Sequence, residues 1–132
     1  EDEDFKASKL HQMPNVHFLG PQKPESLPCY IKGFDICLNP QALNPLTIGN
    51  YPRKIDEYLA MGKPTLATKT EAMSVFEDYV YIAETKEDYV KLAEKALTEN
   101  NPELEQKRID FAKTHTWEKN VAELYKAIES VQ

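Results

Sequence analysis

Four short strand-like runs alternate along this chain with stretches whose apolar residues recur at helical spacing. The runs are Val16–Leu19, Asp35–Asn39, Thr65–Thr68 and Val80–Ala83. The first is closed by Gly20 and Pro21 and the second stops at Pro40, where the backbone loses a ladder donor. Between them, Leu27, Tyr30 and Ile31 share one stripe, and Ile55, Tyr58 and Leu59 another. Strands that alternate with helices imply a parallel sheet covered on both faces. The expected fold is therefore α/β, with about four parallel strands. In such sheets ligands bind beyond the carboxyl ends of the strands, which points to the loops after Leu19, Asn39 and Thr68.

The 132 residues suit a single domain, and 41% hydrophobic with 29% charged residues is ordinary for a soluble one. Sixteen basic against 22 acidic residues give a net charge of −6. That balance disfavours nucleic acid or an anionic membrane as a partner, though it leaves room for a local basic site. No apolar run approaches the ~20 residues needed to cross a bilayer. The acidic start, Glu1-Asp2-Glu3-Asp4, is unlike the basic region of a secretory signal. Cys29 and Cys37 are too few for a disulfide framework and read as small core thiols of a reducing compartment. His11, His17 and His115 have no metal-ligand spacing, so no metal site is expected.

Residues 1–13 read as a frayed helix carrying Phe5 and Leu10. Residues 41–51 form an uncharged loop, and Pro52 opens a helix at its first turn. Gly62 and Pro64 close that helix. Glu71–Glu77 reads as a short helix, and Tyr89, Leu92, Ala93, Ala96 and Leu97 as the stripe of a longer one. Asn100-Asn101-Pro102 breaks the chain before the C-terminal helices of residues 103–132, the last of them capped by Thr116. Trp117 and Tyr125 read as core.

The local feature richest in chemistry is Gly49-Asn50-Tyr51-Pro52-Arg53-Lys54-Ile55-Asp56-Glu57. A flexible pair leads into a helix N-terminus, whose free amides and positive dipole end favour an anion. Residues 50–70 hold four cations (Arg53, Lys54, Lys63, Lys69) against Asp56 and Glu57, a local positive balance in an acidic domain. Spacing alone does not separate this from an ordinary amphipathic helix, since most helix N-termini are empty. Glu57 could accept two hydroxyl hydrogen bonds, as a ribose offers, or could pair with Arg53 one turn back.

The succession Asn15–Gly20, Leu27–Tyr30, Phe34–Pro40, Glu57–Thr68 and Thr116-Trp117-Glu118 resembles the C-terminal, donor-binding half of GT-B glycosyltransferases, the group 1 type. The resemblance runs from about residue 10 to 130. It implies a partial Rossmann-like domain, residues 1–132, of a longer enzyme that transfers a hexose from a UDP- or GDP-sugar to a glycan or lipid-linked acceptor. It implies that Glu57 binds the ribose hydroxyls, that Ile48, Gly49, Asn50 and Tyr51 offer backbone amides to diphosphate and sugar, and that Gly20 lies near the base. Lys54 matches a lysine that could touch phosphate. The donor is a substrate, and no cofactor or metal is implied.

There are two departures. Where the family often has a glutamate eight residues before the ribose-binding one, this chain has Gly49. The family's half-domain has six strands in order 3-2-1-4-5-6, and the four runs here match the third to sixth. The glycine-rich opening, the diphosphate-neutralising basic residues and the acceptor domain have no counterpart. The 15–20 run would have to pair with the 36–39 run, or a partner molecule would fill the gap. The catalytic residues are not identified. Two other classes remain open: a non-catalytic interaction module, and a GT-B sugar-nucleotide epimerase fragment. A cytoplasmic location, peripheral to the membrane in the full-length parent, is expected.

Overall fold

The computed structural model describes residues 6–45 and 47–130. Its elements, in order, are α1 (Leu27–Lys32), β1 (Cys37–Asn39), α2 (Arg53–Ala60), β2 (Thr65–Thr68), β3 (Tyr81–Ala83), α3 (Lys86–Glu99), α4 (Pro102–Ala112) and α5 (Trp117–Glu129). A 3-10 turn, Glu71–Phe76, links β2 to β3. The three strands form one parallel sheet in the order β1-β2-β3. Cys37 lies opposite Thr65, and Leu66 opposite Tyr81.

Three strands form among the described residues where four are expected. Residues 15–20 carry no strand structure, and Phe18 and Leu19 are half exposed. A strand this short needs a neighbour to satisfy its backbone groups. Phe18 instead stacks on His11, with ring centroids 4.5 Å apart. Of residues 1–13, Lys9–Gln12 make a 3-10 turn, and Phe5 lies outside the described residues.

Successive strand residues point to opposite faces. Ala67 packs with Ile55 and Leu59 of α2, while the hydroxyl of the next residue, Thr68, meets that of Tyr89 on α3 at 2.8 Å. Helices therefore cover both faces, as expected. The main core joins Ile55, Leu59, Ala67, Met73, Phe76, Val80 and Ala112. Thr85 and Asp88 form a reciprocal capping box at the start of α3. Asn101 caps α4 and Thr116 caps α5.

The C-terminus of α2 is closed tightly. Gly62 N–H donates to Leu59 O at 2.9 Å and Lys63 N–H to Tyr58 O at 3.0 Å, the bond pair of a Schellman motif. Gly62 has φ +72°, and a Cβ there would lie 3.3 Å from Glu105 Cβ and 3.4 Å from Ile109 Cδ1. Its carbonyl accepts from Arg108 Nη1 at 3.1 Å, and the same nitrogen donates to Asn100 Oδ1 at 2.8 Å. Arg108 is only 4% exposed. Nothing in the apolar periodicity of α4 marks it as a core residue.

Three further differences from the sequence reading follow. Pro52 is the N-cap of α2 rather than its first helical residue. Cys29 is exposed, whereas Cys37 is buried as expected. Trp117 and Tyr125 are 69% and 62% exposed, and α5 has no buried residue. The periodicity of α5 correctly marks a helix with an apolar face, but no described element covers that face.

Two outcomes test this account. Gly62→Ala should lower the unfolding free energy by about 1–2 kcal/mol, from the left-handed backbone penalty alone, as read by urea denaturation. A disulfide reagent should modify one thiol per native chain, at Cys29. Burial raises the Cys37 thiol to about 11, against a smaller opposing effect of Lys63, and keeps it from reacting until the chain unfolds.

Candidate functional site

The loop after β1 is held to the carboxyl end of the sheet. Gln41 N–H donates to the Thr68 hydroxyl at 2.9 Å, and Asn50 N–H to Thr47 O at 3.2 Å. The loop delivers Tyr51 and the start of α2 to one wall of a cavity of about 650 Å³. The other wall is the approach to α5, from His115 to Asn120. Phe76, fully buried, lies between the walls: its ring is 5.5 Å from Tyr51, 5.9 Å from Phe111 and 6.3 Å from His115. Across the mouth, Arg53 Cζ sits 5.0 Å above the Trp117 ring, a cation–π contact joining α2 to α5.

The cavity is rich in carboxylates. Asp56, Glu57 and Glu118 all line it, with Arg53 and His115 as the basic groups. Burial is the largest effect on Asp56 and raises its carboxyl above the usual range, only partly countered by a hydrogen bond with Tyr51 and by His115 nearby. Its Oδ1 is buried without a hydrogen-bond partner among the described residues. The Tyr51 phenol is pushed well up, first by burial and then by Asp56. Glu118 is exposed and held low by its own backbone N–H and by Thr116.

The residues singled out from sequence separate into groups. Tyr51 and Glu57 line the cavity, together with Arg53 and Asp56, which the resemblance did not single out. Ile48 lines a different hollow, about 400 Å³ and mostly apolar, with Leu43, Met73 and Ile82. Gly49 and Asn50 lie in the exposed turn between the two hollows in sequence, and exposed Lys54 lines neither. Gly20 has φ +67° with open space around its Cα, outside both hollows. Sequence reasoning did not find the second wall. Its one legible signal was the Thr116 cap, which fixes where α5 begins.

The helix N-terminus is less open than expected. Arg53 N–H donates to Tyr51 O at 3.1 Å and Ile55 N–H to Pro52 O at 2.9 Å. Two of the first three amides of α2 are therefore engaged, which leaves that of Lys54. Among the described residues no group of three or more His, Cys, Asp or Glu is placed to hold a metal ion. No described helix is long and apolar enough to cross a membrane.

A parallel sheet with helices on both faces and a cavity at its carboxyl end is the frame of nucleotide-handling α/β domains. The comparisons narrow that class. Over 119 residues, 86% of this chain, the sequence is 30% identical to a protein of Bacillus subtilis (strain 168) named "Putative teichuronic acid biosynthesis glycosyltransferase TuaH". The chain spans about 30% of the length of that relative. The similarity supports a glycosyltransferase domain of the GT-B type, in agreement with the partial Rossmann-like sheet. No family profile matches the chain. No solved structure matches it either.

The carboxyl of Asp56 gives a signed prediction. With its pKa raised in the fold, the native state holds the proton over a range where the unfolded chain has released it, so stability falls as pH rises through that range. Asp56→Asn should therefore stabilise the chain at neutral pH. The gain should vanish as pH falls towards the unfolded value of about 3.9. Thermal unfolding followed across pH checks this.

Proposed function

We propose that this chain is the donor-binding portion of a glycosyltransferase and that the cavity between α2 and α5 takes the nucleotide part of a UDP- or GDP-linked sugar. One observation carries the reading: Glu57, the residue matching the family's ribose-binding glutamate, lines a 650 Å³ cavity at the carboxyl end of a parallel sheet. A carboxylate there can accept both hydroxyls of a vicinal diol, because an ionised carboxylate has acceptor sites and no donor. The Lys54 side chain and the free amide of the first turn of α2 are suited to an anionic group, through charge and the helix dipole.

The parent activity would be hexosyl transfer to a glycan or lipid-linked acceptor, in a longer cytoplasmic chain that supplies the acceptor site. The relative's link to teichuronic acid biosynthesis supports glycosyl transfer as that activity. Catalysis in such a site is electrostatic: preorganised amides and cations stabilise the charge that builds on the leaving diphosphate. One observation favours the alternative of a non-catalytic interaction module, the exposed apolar face of α5 formed by Val121, Leu124, Tyr125 and Ile128.

Titration with UDP and GDP separates the two readings. A donor site should shift the backbone amide resonances of Tyr51, Arg53 and Glu57. Glu57→Gln keeps the shape and halves the acceptor character, so it should weaken the tighter nucleotide about tenfold, the loss of one charge-assisted hydrogen bond. Amides that stay still throughout residues 48–58 at millimolar nucleotide would reject the donor site.

A further inference from the structure

The two walls of the α2–α5 cavity differ in origin, but both present carboxylates. Three carboxylates line it, on Asp56, Glu57 and Glu118, against one guanidinium and one imidazole. A diphosphate placed among them would face like charges at close range. A neutral ring bearing several hydroxyls meets the opposite situation. Each hydroxyl can donate to a carboxylate oxygen, and Glu57 and Glu118 are exposed along the lining. Asn120 adds an amide that can both donate and accept.

Trp117 completes the set. An indole that is 69% exposed is unusual on a folded surface, since burying it would remove a large apolar area from water. Arg53 covers one side of its ring at 5.0 Å, which holds the indole at the cavity wall and leaves other ring surface open. The negative face of an aromatic ring attracts polarised C–H groups, and the carbon face of a ribose or pyranose presents them.

We propose that Trp117 is a ligand-contacting residue of this cavity, and that the cavity seats a neutral, hydroxyl-rich ring with the phosphates held outside it. This rests on the donor-site reading and sharpens it. The ring could be the ribose of the nucleotide or the transferred sugar, which share this chemistry. Trp117 is the chain's one tryptophan, so its single indole N–H resonance reports on the cavity directly.

The test follows that resonance and the Glu57 amide while the chain is titrated separately with methyl ribofuranoside, methyl glucopyranoside, uracil, inorganic pyrophosphate and UDP. At least one glycoside should shift both signals, the riboside marking the ribose and the glucoside the transferred sugar. UDP should shift both at lower concentration, while pyrophosphate leaves the indole unmoved. Trp117→Ala should weaken the active glycoside at least fivefold, read at the Glu57 amide, with little change in thermal midpoint because the ring is exposed. Arg53→Ala should weaken it less, since it frees the indole without removing it. An indole shifted by pyrophosphate, or by uracil and neither glycoside, would overturn the proposal. UDP that shifts Glu57 while the indole stays silent would overturn it and leave the donor site standing. Silence with every ligand would remove both.

Discussion

Phe76 is the contact on which the cavity depends. It is fully buried at the end of the 3-10 turn between β2 and β3, and its ring lies within about 6.5 Å of those of Tyr51, Phe111 and His115. Tyr51 belongs to one wall and His115 to the other. A buried aromatic ring packed beside a residue of each links them from behind, and the packing density of such a core resists relative movement. Arg108 does the complementary work on the far side. By bonding Gly62 and Asn100 at once it ties the end of α2 to α4, and α4 leads directly into His115 and α5.

The polar groups of the cavity follow from this frame. Asp56 is raised by burial because it lies on the inward side of α2, one residue from the core position Ile55. Glu57, on the next residue, is exposed to the cavity instead. Two adjacent carboxylates therefore have different surroundings, one partly desolvated beside Tyr51 and one open to a ligand. The Arg53–Trp117 contact adds the only bridge between α2 and α5 that is both charged and aromatic among the described contacts. It joins α5, which has no buried residue, to the helix that carries the core residues Ile55 and Leu59.

Much of this frame was legible in the sequence. The alternation of strands and helices, the glycine stop after α2 and the capping threonine before α5 all rest on local rules: periodicity, left-handed glycine, side-chain caps. Glu57 was singled out by the family resemblance, since spacing alone left it an ordinary helix glutamate. What was not legible depended on partners distant in the chain. The 15–20 run has a strand's composition but no neighbour among the described residues. Arg108 reads as a surface cation of a polar helix, and the approach of Gly62 and Asn100, with Tyr81 beside it, makes its burial tolerable. Trp117 reads as core because tryptophans usually are, and the periodicity of α5 says that an apolar face exists without saying what covers it. Tyr51 and Ile48 are three residues apart in one loop and line separate hollows, a division that spacing does not encode.

The same reasoning explains why the anion site looked stronger in the sequence than in the fold. A Gly-Asn pair before a helix suggests free amides, but Pro52 as N-cap lets Tyr51 and Pro52 carbonyls take two of the first three. The four cations of residues 50–70 are likewise dispersed: Arg53 sits over Trp117, Lys69 pairs with Glu84 at 2.6 Å, Lys63 lies near Cys37, and Lys54 is exposed outside the cavity. What converges is the set of carboxylates. With three carboxylates on its lining against one guanidinium and one imidazole, the cavity is weighted towards groups that accept from hydroxyls.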